Sequence, residues 1–195
     1  MDTDERLLAE LSAHGLLLQQ DLQLPSVVAI VAGEPLHGSW WSHPSGHAIF
    51  DRLNALAAHR DVLVTRLVSG KVTFVHRRLW PAVLAAAIER AAWQFARLQT
   101  PARELYESVE RQGMLFATGR SAKELERRLL VHGEQVHTEK GHHELRLESW
   151  ALWAERDGCP GDLTAAEGRR QLEAAVRGLG GTDALLPWGK AVRGE

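Results

Sequence analysis

A chain of 195 residues, 45% hydrophobic and 25% charged, is long enough to bury a core without a metal or disulfide staple, and fills one domain or two small ones. A single cysteine, Cys159, excludes an intramolecular disulfide; no signal-peptide pattern follows Met1, and no apolar run approaches the ~18 to 20 residues of a membrane span. The expected setting is a reducing cytoplasm, with no membrane partner. The formal net charge of -2 removes bulk basicity as an argument, so any nucleic-acid reading rests on where the charges lie.

Along the chain, Thr3 is placed to cap a first helix over residues 3 to 18, with Leu7, Leu11 and Leu18 on one stripe. Pro25 fits the first turn of a short second helix, Ser26 to Ala32, which Gly33 stops. After the aromatic string Gly38-Ser39-Trp40-Trp41-Ser42-His43-Pro44, a third helix shows Ile49, Leu53, Leu56 and Ala57 at helical spacing. The pattern then turns β-branched: Val62 to Val68 and Lys71 to His76 flank Ser69-Gly70, which predicts a hairpin. Three helices followed by a hairpin is the order of a winged helix, in which the third helix can enter the major groove and the hairpin can touch the backbone.

Charge is unevenly spread. Residues 1 to 34 carry one arginine against six acids and would repel phosphate, whereas residues 60 to 78 carry five basic residues against Asp61 alone. Pro81 opens a predicted connector helix through about Leu98, and Thr100-Pro101 opens another that Gly113 ends. Ser121 and Glu124 have the spacing of a capping box, for a helix that buries Ala122, Leu125 and Leu129 and turns Lys123, Arg127 and Arg128 outward. A second hairpin is predicted from Val131 to His137 and from His142 to Leu147. Met114 to Gly119 is too short for a regular middle helix, so this second unit is abbreviated. Trp150 and Trp153 lie on the buried side of a following helix; Thr164 and Glu167 cap a last one, and the tail around Pro187-Trp188-Gly189 reads as loose.

The predicted fold is therefore α+β and mostly helical: tandem winged-helix-like units, each a helical cluster followed by a β-hairpin wing. The expected divisions are 1–98, a unit with its connector helix; 99–157, the abbreviated unit; and 158–195, a C-terminal helix and tail.

The strings Gly70-Lys71-Val72-Thr73-Phe74-Val75-His76-Arg77-Arg78-Leu79-Trp80 and Leu125-Glu126-Arg127-Arg128-Leu129-Leu130-Val131, with Val136 to Gly141 after the second, resemble bacterial winged-helix proteins related to the AlkZ-like (YcaQ-type) DNA glycosylases. The resemblance covers about residues 1 to 155 and implies tandem winged-helix modules and a link to DNA, in repair or regulation. Those glycosylases are considerably longer and use a Gln-x-Asp or Gln-x-Gln motif, whose letters Gln19-Gln20-Asp21 match here.

The candidate phosphate contacts are Arg66, Lys71, Arg77 and Arg78 on the first wing, and Lys123, Arg127, Arg128 and Lys140 in the second unit. The competing reading makes Arg127 and Arg128 partners of Glu124 or Glu126, and Arg77 and Arg78 a strand end. Trp40, Trp41 and His43 could line a pocket or stack on a base; otherwise one tryptophan anchors the core and the other is partly exposed. His37, His43 and His47, or His137, His142, His143 and Glu144, lack a recognised zinc spacing, so no metal or cofactor is expected. No nucleophile elbow or phosphate loop is present, and the winged-helix order with its basic first hairpin makes DNA binding the expected function. The alternatives are a protein-interaction module and a compact glycosylase using Gln19 and Asp21.

Overall fold

The structure, a computed structural model, describes residues 2–137 and 143–189. It is α+β, 54% helical, with two small antiparallel three-stranded sheets. The chain forms two compact units. Among the described residues, unit 1 runs to Trp80 and regains Gln171–Leu186, and unit 2 holds those from 81 to 170 and from 187 to 189. The first change of unit falls at 80/81, where the sequence suggests 98/99, and the described residues 158–189 are divided between the two units.

Unit 1 begins with α1 (Thr3–His14), capped by Asp2 rather than Thr3: the Asp2 carboxylate accepts from the Thr3 N–H at 2.6 Å, and Glu5 reaches back to the Asp2 N–H at 3.1 Å. The helix stops four residues earlier than its leucine spacing predicts. Gly15 takes a left-handed φ of 82°, and Leu16–Leu18 becomes strand β1, in which all three leucines are buried. Gln19 to Asp21 therefore follow a strand, not a helix end. Next come α2 (Val27–Ala32), with Ser26 as its N-cap, and α3 (Gly46–Ala57), which buries Ile49, Leu53 and Leu56 as the spacing predicts. Strands β2 (Val62–Arg66) and β3 (Val72–His76) form the first hairpin. Ser69 and Gly70 both have positive φ, 54° and 67°, as the tightest hairpin turns require. Leu67 and Val68 are fully buried beside them, so this turn is no projecting wing. The sheet order is β1-β3-β2. Leu7, Leu11, Val28, Trp40, Ile49 and Phe74 belong to one core cluster.

The connector predicted from Pro81 to Leu98 is broken into α4 (Trp80–Ala87) and α5 (Ala92–Phe95). Gln94, fully buried, occupies the break: its amide donates to the Ala87 carbonyl at 2.8 Å and accepts from the Ala91 N–H at 2.8 Å. One side chain thereby replaces the backbone bonds that the interrupted helix loses. Ile88, on the predicted buried face, is half exposed as a result.

In unit 2, α6 (Thr100–Gln112) ends at Gly113, and Met114–Phe116 forms strand β4 where a middle helix was judged too short to fit. Helix α7 (Arg120–Arg127), strands β5 (His132–His137) and β6 (His143–Glu148), helix α8 (Trp150–Asp157) and helix α9 (Ala165–Gly178) follow. The sheet order is β4-β6-β5, the same arrangement of a short first strand and a hairpin as in unit 1. Residues Pro187 to Gly189 are not loose: Trp188 is buried, its ring 5.6 Å from that of Trp93.

A buried ionic group ties α8 to this sheet. His132 Nδ1 lies 2.9 Å from Glu148 Oε1, both side chains almost fully buried, and Arg156 donates to the two Glu148 oxygens at 2.7 and 2.8 Å. The rings of Trp150 and Trp153 lie 5.5 and 5.9 Å from the His132 ring. Burial works to raise the Glu148 pKa, but the hydrogen bond and charge of His132, with those of Arg156, outweigh it and hold the carboxyl below its ordinary value.

Gly168 on α9 marks a close approach to α4: a Cβ there would lie 2.7 Å from the Ala82 carbonyl oxygen and 3.0 Å from the Ala85 Cβ. Since a backbone oxygen cannot swing aside, Gly168→Ala is expected to cost about 1–3 kcal/mol in chemical denaturation, despite alanine's better helix propensity. An unchanged or raised stability would show that the two helices separate freely.

Candidate nucleic-acid interface

Helix α7 separates its residues sharply. Ala122, Leu125 and Glu126 face inward, while Arg120, Lys123 and Arg127, at i, i+3 and i+7, are exposed on one side. Among the described residues, none of these three cations has a carboxylate within ion-pair distance. They border a groove of about 820 Å³ whose wall also includes Gln99 and Gly119.

Arg128 does not turn outward with them. Its guanidinium pairs with Glu124 at 3.0 Å and donates through Nη1 to the carbonyls of Gln94 at 3.0 Å and Ala96 at 2.8 Å. It fastens the end of α7 to the α5 segment, and its charge is spent there. The predicted capping box is also absent: Gly119 is the N-cap, Arg120 is the first helical residue, and Glu124 serves Arg128 instead. Placing the cap at Ser121 is what left Arg120 outside the sequence-derived set, although its spacing to Lys123 and Arg127 was readable.

The two arginines thus separate by experiment. Arg127→Gln is expected to weaken anion binding with stability unchanged. Arg128→Gln is expected to cost about 1–3 kcal/mol of stability through the unpaired carbonyls, with little effect on binding by the folded protein. Denaturation and binding measured on both variants check this, and the reverse pattern would reassign them.

In unit 1 the basic residues lie elsewhere than a wing would put them. Arg77 and Arg78 sit at the end of the hairpin opposite its turn. Arg77 pairs with Asp61 at 3.6 Å and lies 5.5 Å from the centre of the Trp80 ring; Arg78 donates to the Ala13 carbonyl at 2.9 Å. Lys71 is beside the turn but is bound to Asp21 at 2.6 Å, and Arg66 lines the same recess. The exposed positions of α3 are His47, Ala48, Asp51, Asn54, Ala55 and Ala57, and its Arg52 pairs with Asp4 at 2.7 Å. The helix that would read the groove in unit 1 therefore offers it no cation.

Asp21 is fully engaged. One carboxylate oxygen accepts from the Gln23 and Leu24 N–H groups at 2.9 and 3.0 Å, and the other from Lys71. Burial works to raise its pKa, but these bonds and the Lys71 charge hold it below the ordinary value. The backbone of Gln19 bonds to Val28 and Val72.

Trp40 is buried and stacks on Trp41 at 4.3 Å, and Trp41 is 61% exposed: one anchor and one surface ring. His43 Nδ1 accepts from the Ser45 N–H at 3.1 Å, joining the entry to α3. No cluster of three or more metal-ligating side chains occurs among the described residues, and Lys140 and His142 lie outside them. Compared with models of known families, with curated proteins and with solved structures, the chain matches none.

Proposed function

We propose that the protein binds duplex DNA through unit 2, with α7 laid against the major groove in the manner of a winged helix. The observation that carries this reading is the exposed row of Arg120, Lys123 and Arg127 on the helix that precedes the β5–β6 hairpin. Support also comes from the sheet order, alike in the two units, with a helical cluster ahead of each hairpin. An α-helix is about 10–12 Å across with its side chains, which matches the width of a B-DNA major groove of about 12 Å. The proposal contains no chemical step, because the Asp21 carboxylate is occupied by its turn and by Lys71.

Fluorescence anisotropy with a short random-sequence duplex tests it. Three phosphate contacts give a slope of log affinity against log salt of about -2.7. Absence of binding at low salt would overturn the reading. Association insensitive to salt would favour protein docking through unit 1, for which the exposed ring of Trp41 and the cation-free face of α3 are the specific support.

A further inference from the structure

We propose that the outer edge of strand β4 in unit 2 is a docking site for an extended peptide segment of a partner protein, uncharged and apolar at alternate positions, which adds to the three-stranded sheet as a further strand. The site lies on the sheet and not on α7, and it does not depend on DNA binding.

The backbone gives the first reason. β4 is an edge of the β4-β6-β5 sheet, with Leu115 opposite Leu147. The Ala117 N–H donates to the Leu145 carbonyl at 3.0 Å, and the Ser149 N–H donates to the Gly113 carbonyl at 2.9 Å. Bonded residues alternate along an antiparallel pair, so Gly113, Leu115 and Ala117 direct their backbone groups to β6, while the N–H and C=O of Met114 and Phe116 point away from it. Among the described residues, no hydrogen bond reaches those outward groups. A further strand is the ligand whose main chain matches such a row.

The side chains give the second. Met114 and Phe116 are 39% and 53% exposed, on the face of β4 opposite to Leu115, which packs on the core cluster of unit 2. Leu152 of α8, 37% exposed, continues the strip, since a Cβ at Gly113 would lie 3.6 Å from its Cδ2. These are three of the six large apolar side chains that are exposed among the described residues. Edge strands are ordinarily protected by charge or by proline; the other edge, β5, shows Glu134 and Gln135 to solvent, whereas β4 carries neither charge nor proline. The charges alongside are paired with one another, Arg146 opposite Phe116 with Glu134, and Arg156 with Glu148 and Asp157, so an uncharged segment suits the strip. Three partly exposed side chains fall well short of the ~800 Å² that each partner covers in a stable interface, which selects a short segment over a second copy of the chain.

The test titrates the full ¹⁵N-labelled chain with a peptide of about seven residues, blocked at both ends and alternating valine with threonine, long enough at ~3.3 Å per residue to overlap β4. The expected result is saturable shifts of the Met114 and Phe116 amides, larger than that of Leu115, at a Kd of about 1 mM that does not change with salt. Hydrogen exchange at the same two amides should slow when the peptide is bound. The same peptide with its amides N-methylated keeps its side chains but loses its donors, and should bind about tenfold more weakly or not at all. Phe116→Thr, which keeps β propensity at an exposed position, should weaken binding about tenfold and leave the unfolding midpoint where it is. Four results would overturn the proposal: no saturable shift, equal affinity of the N-methylated peptide, equal affinity of the Phe116→Thr chain, or shifts of these amides on concentrating the chain alone, which would assign the edge to a second copy. None of them bears on duplex binding, which anisotropy reads separately.

Discussion

Replacing Arg120, Lys123 and Arg127 together by glutamine is expected to lower duplex affinity by two to three orders of magnitude at about 0.1 M salt and to remove about 2.7 from the salt slope. The size follows from counterion release, since each lost phosphate contact removes about 0.9 from the slope and close to a factor of ten in affinity at that salt. All three side chains are exposed, and glutamine has nearly the helix propensity of arginine and lysine, so the far-ultraviolet circular dichroism and the unfolding midpoint should not move. Substituting Arg66, Arg77 and Arg78 in the same way should change duplex affinity far less, because the last two are engaged within unit 1. If the α7 triple variant keeps its affinity and slope, this helix is not the contact surface.

The largest stability effect is expected at Glu148. Glu148→Ala leaves His132 buried without its partner and removes the carboxylate that holds Arg156, at a cost of about 3 kcal/mol. The low end of the range for a broken buried pair applies because the Arg156 side chain is 39% exposed and water can take over part of its solvation. The effect also has a pH signature. The Glu148 carboxyl is held below its ordinary value in the folded chain, so between the two values the unfolded chain binds the extra proton. Its contribution is therefore complete above the ordinary carboxylate range, near pH 4.5, and is lost as pH falls through the folded value. Urea denaturation from pH 7 to pH 3 should show a shallower acid loss in Glu148→Gln than in the parent chain. A variant within about 0.5 kcal/mol of the parent, with the same pH profile, would show that the group adds nothing to stability.

Most of the element order was legible in the sequence because the apolar spacing is regular where one face is buried. Ile49, Leu53 and Leu56 of α3, Ala102 and Val109 of α6, and the β-branched runs around Ser69-Gly70 all carry their periods openly. Two boundaries were hidden by the same cause, continuous apolar character. Leu16–Leu18 extends the leucine stripe of α1, yet the left-handed Gly15 releases it as a strand buried on both faces. The alanine-rich stretch after Pro81 has no period with which to announce its break, and the break depends on what the Gln94 amide reaches in space. The charged candidates were readable as residue types but not as free charges. Lys71, Arg77, Arg78 and Arg128 each find a partner brought close by the fold, and only the α7 row could be read from spacing alone.

Unit 1 is assembled from two separated stretches, with Pro81–Arg170 lying between them in the chain. Neither unit is therefore complete until the last part of the described chain has been made. The first 80 residues emerge early, but Leu172, Val176, Leu179 and Leu186, all buried in the finished fold, reach the ribosome exit only after the whole of that intervening stretch. Unit 2 can gather most of its sequence while unit 1 still waits for Gln171–Leu186, and it then receives its own last piece, with the buried Trp188, directly afterwards.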